Sequence, residues 1–369
     1  MRFSSAASAF RRQLHTRTPL TSHKRSFSAT PTATPPFIDF DLMANLFTFV
    51  DELAHDKQAL VAQSRETLRQ MGRADDTVRL YLPYSAAAIT TAKSTNGVAS
   101  EALAYLGLDT LQKAAVIEIH NPSARNALSG KMMAELADIV TKLEDPQVHA
   151  NLNTVVLKGT GGWFCAGADL RVAQKQLTSN EAGTAMGVLM VDTLTRFRRL
   201  PLVSFAIVEG GAYGGGAELM TSCDYRLIEK KAIVQFVQAR MGVSPGWGGG
   251  ARLYKLVGRQ HALRLLCTAT KISPEEAVAL GLADLVFDAE IELSDKKILD
   301  FVAAFDQVAS EVLHGQKKVI TNADDVSLDD LVDYEHGVFK SLWGGPANLR
   351  ALESFKKKTP SPRGQPPSE

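Results

Sequence analysis

The sequence predicts an α/β protein built on a parallel sheet, and three observations carry that expectation. Apolar runs of strand character recur at Thr154 to Gly159, Leu202 to Val208, Tyr225 to Ile228 and Ile233 to Phe236, with helical stretches among them. Strands that alternate with helices imply parallel pairing. Two of the runs pass through glycine-rich turns into small residues and good helix formers, one at Gly159 to Leu170 and one at Gly210 to Met220, so each reads as strand, turn, helix start. The composition, 45% apolar and 22% charged over 369 residues, leaves room for a large core plus an accessory segment.

The same composition excludes several classes of function. A formal net charge of +1 gives no footprint for nucleic acid. No uninterrupted apolar run reaches the length of a membrane span. Cys165, Cys223 and Cys267 lack metal-ligand spacing, and an odd few suits a reducing compartment. No metal site, nucleic-acid partner or membrane partner is therefore expected. Cys165 stands inside one of the glycine-rich turns, which leaves a nucleophile role open beside an inert one.

Taken in order, residues 1–30 differ from the rest. Arg2, Arg11, Arg12, Arg17, Lys24 and Arg25 lie among Ser, Thr and Ala, and the first acid is Asp39. That pattern reads as a mitochondrial transit peptide, with Arg25-Ser26-Phe27-Ser28 resembling a matrix-peptidase cleavage site. The alternative is a basic tail and a second start at Met43, which would leave the protein in the cytosol. Residues 31–110 form an extension: from Asp41 to Met71 apolar residues, Leu46, Phe49, Val50 and Leu53 among them, recur at helical spacing and predict one or two amphipathic helices, while Asp75 to Ser100 reads as irregular and suggests no function.

The catalytic core is expected over residues 111–290. Val116 to Ile119 is a short strand, and His120 to Ser129 is a turn-rich loop before a helix whose apolar face holds Met132, Met133, Leu136, Ile139, Val140 and Leu143. Farther on, Ser273-Pro274 reads as an N-cap with proline at the first helical position. Residues 291–352 read as mostly helical, and 353–369 as a charged, Pro-rich tail.

The chemistry centres on Gly214-Gly215-Gly216-Ala217-Glu218-Leu219. Three successive glycines make poor helix interior, so backbone must approach something closely or take angles forbidden to a side chain. The N–H groups of the helix start that follows form an anion site. A dinucleotide or phosphate loop is disfavoured because neither of its glycine spacings occurs; a purely structural turn and an oxyanion hole remain. The upstream turn of the same build favours the hole, since two such turns can aim two N–H groups at one oxygen.

Phe164-Cys165-Ala166-Gly167-Ala168-Asp169-Leu170 followed by Gly214-Gly215-Gly216-Ala217-Glu218-Leu219 resembles the enoyl-CoA hydratase/isomerase, or crotonase, superfamily. The Asn121-Pro122 to Asn126-Ala127-Leu128 loop and the Pro245-Gly246-Trp247-Gly248-Gly249 segment resemble its other signatures. The resemblance implies a crotonase-like ββα spiral core with a C-terminal helical oligomerisation segment, assembled as a homotrimer or hexamer. It implies an acyl-CoA thioester substrate, with CoA part of the substrate and no separate cofactor. It assigns the hole to the N–H groups of Ala166 and Gly215, catalysis to Glu218, and substrate contacts to Arg125, Ala127, Ala168, Asp169, Tyr213 and Gln238.

Hydration of an enoyl-CoA needs two carboxylates for acid and base work. Only Glu218 matches; the second family position, seven residues before Pro245, is Gln238, and an amide transfers no proton at neutral pH. Decarboxylation of a malonyl-type thioester asks mainly for a stabilised enolate oxyanion. The expected reaction is therefore decarboxylation of an alkylmalonyl-CoA, ethyl before methyl, with an enoyl-CoA hydratase/isomerase or a non-catalytic CoA-binding protein as alternatives. Glu218 is expected either to give the quenching proton or to orient the substrate carboxylate. Tyr213 is expected to narrow the acyl pocket or to bond that carboxylate.

Overall fold

A computed structural model describes residues 57–83, 106–176, 179–290 and 296–358. The expected transit peptide, the helix through Leu46 to Leu53 and most of the tail lie outside these residues. Helix α1 covers residues 57–69 and is followed by strand β1, Thr77–Tyr81. Then come β2, Ala114–His120; α2, Gly130–Glu144; α3, Pro146–His149; β3, Thr154–Gly159; α4, Leu170–Gln176; and α5, Asn180–Arg199. Strands β4, Val203–Val208, and β5, Gly211–Tyr213, lead into α6, Gly215–Met220. Strands β6, Tyr225–Glu229, and β7, Ile233–Gln235, lead through a 3-10 turn, Gln238–Met241, into α7, Gly249–Thr268. Helix α8, Pro274–Ala279, precedes β8, Leu285–Phe287, and α9 to α12 close the chain at Lys297–Asp306, Ser310–Asn322, Leu328–Leu342 and Pro346–Lys358.

The larger sheet runs β1-β2-β3-β4-β6-β8, and the smaller pairs β5 with β7. Among the described strand pairs only β1–β2 is antiparallel; Val116, Val156 and Phe205 sit in register across the central parallel strands. Both faces of the sheet are covered, so β3 and β4 are buried along their whole length and mostly apolar instead of alternating. Short bridges continue the smaller layer, Leu128 beside Ala168 and Cys165 beside Ala212. Each turn of the chain therefore places one strand in the large sheet, one short extended segment in the inner layer, and one helix. That is the expected ββα spiral.

Along β2 the side chains divide by alternation. Ala115, Ile117 and Ile119 enter the main core with α2, α5, α6 and α7, whereas Ala114 and Val116 enter a second core. In that second core α9 sets Phe301 and Phe305 against Phe205 and Tyr225, with ring centroids 5.3 to 6.0 Å apart, a range in which aromatic pairs attract. Local signals hold where expected: Ser129 and Ser273 cap α2 and α8 by accepting from Met132 N and Glu276 N.

Two details differ from expectation. The hydrophobic core draws in residues that precede 111. Helix α1 buries Val61 and Leu68 in the main core, and β1, in a stretch read as irregular, forms an edge strand of the large sheet. The pattern misled because β1 exposes one side: only Val78 of its residues is fully buried. The tail expected from 353 also starts late, since α12 continues to Lys358.

Candidate active site

Strand β4 delivers the chain to a turn at Glu209 and Gly210, β5 carries it across the inner layer, and Gly214 turns it into α6. Gly214 has φ +52° and ψ −117°, a combination open to glycine and strained for residues with a Cβ. The next two glycines are required by close approach. A Cβ on Gly216 would stand 2.1 Å from Cys165 O, and one on Gly215 would stand 2.6 Å from the Trp247 ring. On the upstream turn, a Cβ on Gly167 would lie 3.0 Å from Gly215 N. The two glycine turns thus meet backbone to backbone.

Gly215 is the first residue of α6, so its N–H has no partner within the helix. Ala166 does not supply the second free donor. Its N–H donates to Arg125 O at 3.0 Å, and that carbonyl is brought over by two successive left-handed residues, Arg125 and Asn126, at φ +51° and +57°. The open group belongs to Ala168 instead. In the Leu128–Ala168 bridge the bonds are Leu128 N to Gly167 O, 2.7 Å, and Asp169 N to Leu128 O, 2.9 Å. A residue flanked by such bonds turns its own N–H to the opposite side, and among the described residues Ala168 N–H has no acceptor.

Glu218, one helical turn beyond Gly215, is buried. Its Oε1 accepts from Gln238 Nε2 at 2.8 Å and Gly246 N at 3.3 Å; its Oε2 accepts from Trp247 N and Gly249 N, each at 2.8 Å. Both oxygens are thereby occupied as acceptors, as suits an ionised carboxylate. A proton on either would point at an N–H group, so this arrangement suits Glu218 to ordering the 246–249 loop and Gln238 rather than to giving a proton. Gln238, which takes the family's second carboxylate position, lies beside Glu218 and turns its NH2 to that carboxylate. Its own carbonyl oxygen is buried without a partner among the described residues.

Three residues unforeseen in the sequence complete the surroundings. Trp247 packs its ring against Gly215. Arg252, from the first turn of α7, donates to Glu218 O, Trp247 O and Thr221 Oγ1 at 2.9 to 3.1 Å; burial pulls its guanidinium down to about 10, which keeps it a cation at neutral pH. The third, Trp163, stacks under Arg125, whose guanidinium carbon lies 4.8 Å from the ring centroid, and leans against Tyr213 with centroids 6.1 Å apart. Trp163 and Trp247 both sit inside glycine-rich turns, which is the one signal that could have flagged them.

The remaining expected residues divide. Tyr213 is half-buried and folds back over Gly211. Arg125 is exposed at the same rim. Ala127 is buried, and its N–H and carbonyl are spent on Ala124 O and Asn121 Nδ2, so it shapes the loop. Asp169 is buried against Arg171 and Arg73; burial alone would raise its carboxyl, but hydrogen bonds from Arg171 and the nearby arginine charges hold it below the usual carboxylate range. Cys165 is buried, which pushes its thiol up to about 12, so the nucleophile reading fails. Among the described residues no group of three or more His, Cys, Asp and Glu side chains is gathered as for a metal ion.

Comparison with known proteins agrees with this geometry. The enoyl-CoA hydratase/isomerase family pattern matches residues 109–360. A protein of Danio rerio named ethylmalonyl-CoA decarboxylase is 41% identical over 275 residues, covering 72% of this chain and 89% of its own. One of Xenopus laevis with the same name is 42% identical over 246 residues, 66% of this chain and 80% of its own. The crystal structure of enoyl-CoA hydratase from Bacillus anthracis superposes with a TM-score of 0.62 at 28% identity, covering 66% of this chain and 93% of that one. With two glycine turns meeting at paired backbone donors on a ββα spiral, the chain belongs to the enoyl-CoA hydratase/isomerase family.

Proposed function

We propose that the protein is a decarboxylase of ethylmalonyl-CoA, and more weakly of methylmalonyl-CoA, acting through a thioester enolate. The observation that carries the reading is the pairing of one buried carboxylate, Glu218, with an amide, Gln238, beside two open backbone N–H groups. Hydration needs a second proton-transferring group where Gln238 stands; loss of CO2 does not. As the carbon–carbon bond to the carboxylate breaks, its electron pair moves into the thioester carbonyl, and the N–H groups of Ala168 and Gly215 face the oxygen that gains charge. Each such donor contributes about 3 kcal/mol to the transition state. A water molecule then gives a proton to the α-carbon, and the hydroxide left behind is taken up by the released CO2 as bicarbonate. The name shared by relatives at 41% and 42% identity supports the substrate.

Several further properties belong to the proposal. Arg125, exposed at the rim and stacked on Trp163, suits a CoA phosphate. No cofactor is needed beyond the CoA of the substrate. Helices α11 and α12 and the turn between them leave Phe339, Trp343, Leu349 and Phe355 exposed, and α11 buries no residue, which supports a trimer or hexamer as the folded assembly. Residues 1–30 support import into the mitochondrial matrix.

The test supplies purified protein with ethylmalonyl-CoA and with crotonyl-CoA in the presence of chelator, following CO2 release and enoyl absorbance. CO2 from the first substrate alone is expected. Turnover of crotonyl-CoA alone would contradict the reading, and CoA binding without turnover of either would favour a non-catalytic role.

A further inference from the structure

We propose that Arg73 is a positioning residue for the Ala168 side of the oxyanion hole, so that a segment preceding the family-matched residues 109–360 takes part in catalysis. The proposal rests on the hole described above. Arg73 lies in the turn between α1 and β1, and its backbone is held at several points. Its N–H donates to both carboxylate oxygens of Asp76, each at 3.2 Å, and Lys131 Nζ, from α2, donates to the carbonyls of Arg73 and Asp76. The side chain then reaches across to the site loops.

A single guanidinium nitrogen reaches one residue on each side of the Leu128–Ala168 bridge, Asn121 and Asp169. Arg73 Nη2 donates to Asn121 Oδ1 at 2.5 Å and lies 3.8 Å from Asp169 Oδ2. Asn121 holds the loop that ends in Leu128: its Nδ2 donates to Ala127 O at 2.7 Å, and its N–H donates to Asn126 Oδ1 at 2.9 Å. Asp169 is the residue whose N–H closes the bridge on Leu128 O. Arg73 therefore pins the chain on one side next to Leu128 and on the other next to Ala168, and the bridge between them sets the direction of the Ala168 N–H. Asn121 and Asp169 are both buried, so water does not readily replace a lost partner. A lysine carries the same charge on a shorter and more flexible stem, so it is less well placed to meet both residues at once.

Arg69 provides the control. It ties α1 to α2 through Asp138, at 2.8 and 3.1 Å, and touches no residue of the hole. Arg73→Met, Arg73→Lys and Arg69→Met are compared with the parent for kcat and KM on ethylmalonyl-CoA, for melting temperature, and by difference infrared for the carbonyl stretch of bound carbonyl-13C butyryl-CoA. Misplacing a catalytic group by about 1 Å costs up to about a hundredfold. Arg73→Met is expected to lose about ten- to a hundredfold in kcat with KM within about twofold, because the hole acts in the transition state. Its bound carbonyl should move toward the stretch of free thioester. Arg73→Lys should fall between Arg73→Met and the parent, and Arg69→Met should lower the melting temperature while keeping parental kcat and stretch. The proposal is overturned if Arg73→Met, or Arg73→Lys where the first variant does not fold, loses no more kcat than Arg69→Met and keeps the parental stretch. Should the parent polarise the butyryl carbonyl without turning over ethylmalonyl-CoA, the substrate reading falls while the stretch still decides for or against Arg73.

Discussion

The two turns that meet at the hole are alike in composition and different in mechanics. Gly215 has an open N–H because a helix starts there, and the first amides of any helix lack partners within it. Ala168 has one because Leu128 comes alongside and takes the bonds of Gly167 and Asp169, leaving the middle amide turned away. The first donor is a local property of the chain. The second depends on a strand that arrives from forty residues upstream. A glycine-rich turn therefore announces that backbone will be used, but which amide is used is decided by what packs beside it.

The largest effect should come from the helix-start donor. Gly215→Pro deletes that N–H and sets a ring where even a Cβ meets Trp247 at 2.6 Å. Turnover of ethylmalonyl-CoA is expected to fall by about a hundred- to a thousandfold. Gly215→Ala, which keeps the N–H and meets the same collision, should lose much less. Circular dichroism confirms that both fold, and equal losses in the two variants would assign the effect to Trp247 and not to the donor.

A smaller effect is expected at Gln238, because it acts beside the hole. Gln238→Glu would place a carboxylate oxygen at hydrogen-bond distance from Glu218 Oε1, where the amide now lies 2.8 Å away. Like charges at that distance in a buried site cannot both stay ionised, so the pair retains a proton to unusually high pH. While protonated, Glu at 238 can donate to Glu218 as the amide does; once the proton leaves, repulsion opens the 238–249 loop. Decarboxylation should therefore survive at low pH and fall about tenfold or more as pH rises, since each 1.4 kcal/mol of displaced interaction is a factor of ten. A rate equal to the parent's at every pH from 6 to 8.5 would show that Gln238 does not bear on the reacting group, and the hydratase alternative would reopen.

The smallest effect concerns folding alone and separates it from the hole. His314 Nε2 lies 2.7 Å from Leu152 O, pinning α10 to the loop before β3. Burial pushes its imidazole below the ordinary histidine value, opposed by that bond. The unfolded chain thus takes up a proton near pH 6.5 that the folded chain accepts only at lower pH, so stability is present above the unfolded pKa and is lost as pH falls through the folded one. The melting temperature should drop by a few degrees between pH 7.5 and 5.5, the slope should flatten in His314→Gln, and the carbonyl stretch of bound butyryl-CoA should not follow it. A stretch that tracks the melting temperature would tie the hole to α10.

These differences also explain what was legible in the sequence. Strands β2 to β4 are largely apolar because both sheet faces are covered, and Ser129 and Ser273 cap their helices through local bonds, so pattern and propensity suffice for them. Helix-start logic points only to an anion site after the glycine run, and the family resemblance points to Gly215 and Gln238 in particular. The resemblance puts the other donor at Ala166, two residues before Ala168, and nothing in the sequence warns of the Arg125 carbonyl that occupies Ala166, which arrives through two left-handed residues with no glycine to mark them. Strand β1 was missed because an edge strand with one buried residue has weak alternation. Arg73, distant in sequence and isolated among charges, carries no motif at all.

The central claim is that the hole is formed by Ala168 and Gly215, with Ala166 committed to Arg125. Incorporating lactic acid in place of alanine replaces one amide by an ester and deletes a single N–H with little change of shape. At position 168 the substitution should lower kcat for ethylmalonyl-CoA by about a hundred- to a thousandfold and relax the carbonyl stretch of bound butyryl-CoA toward that of free thioester. At position 166 it removes only the 3.0 Å bond to Arg125 O, a neutral hydrogen bond contributing about 1 kcal/mol, so the loss should stay within about tenfold. A large loss and relaxed stretch at 166, with parental behaviour at 168, would contradict the account.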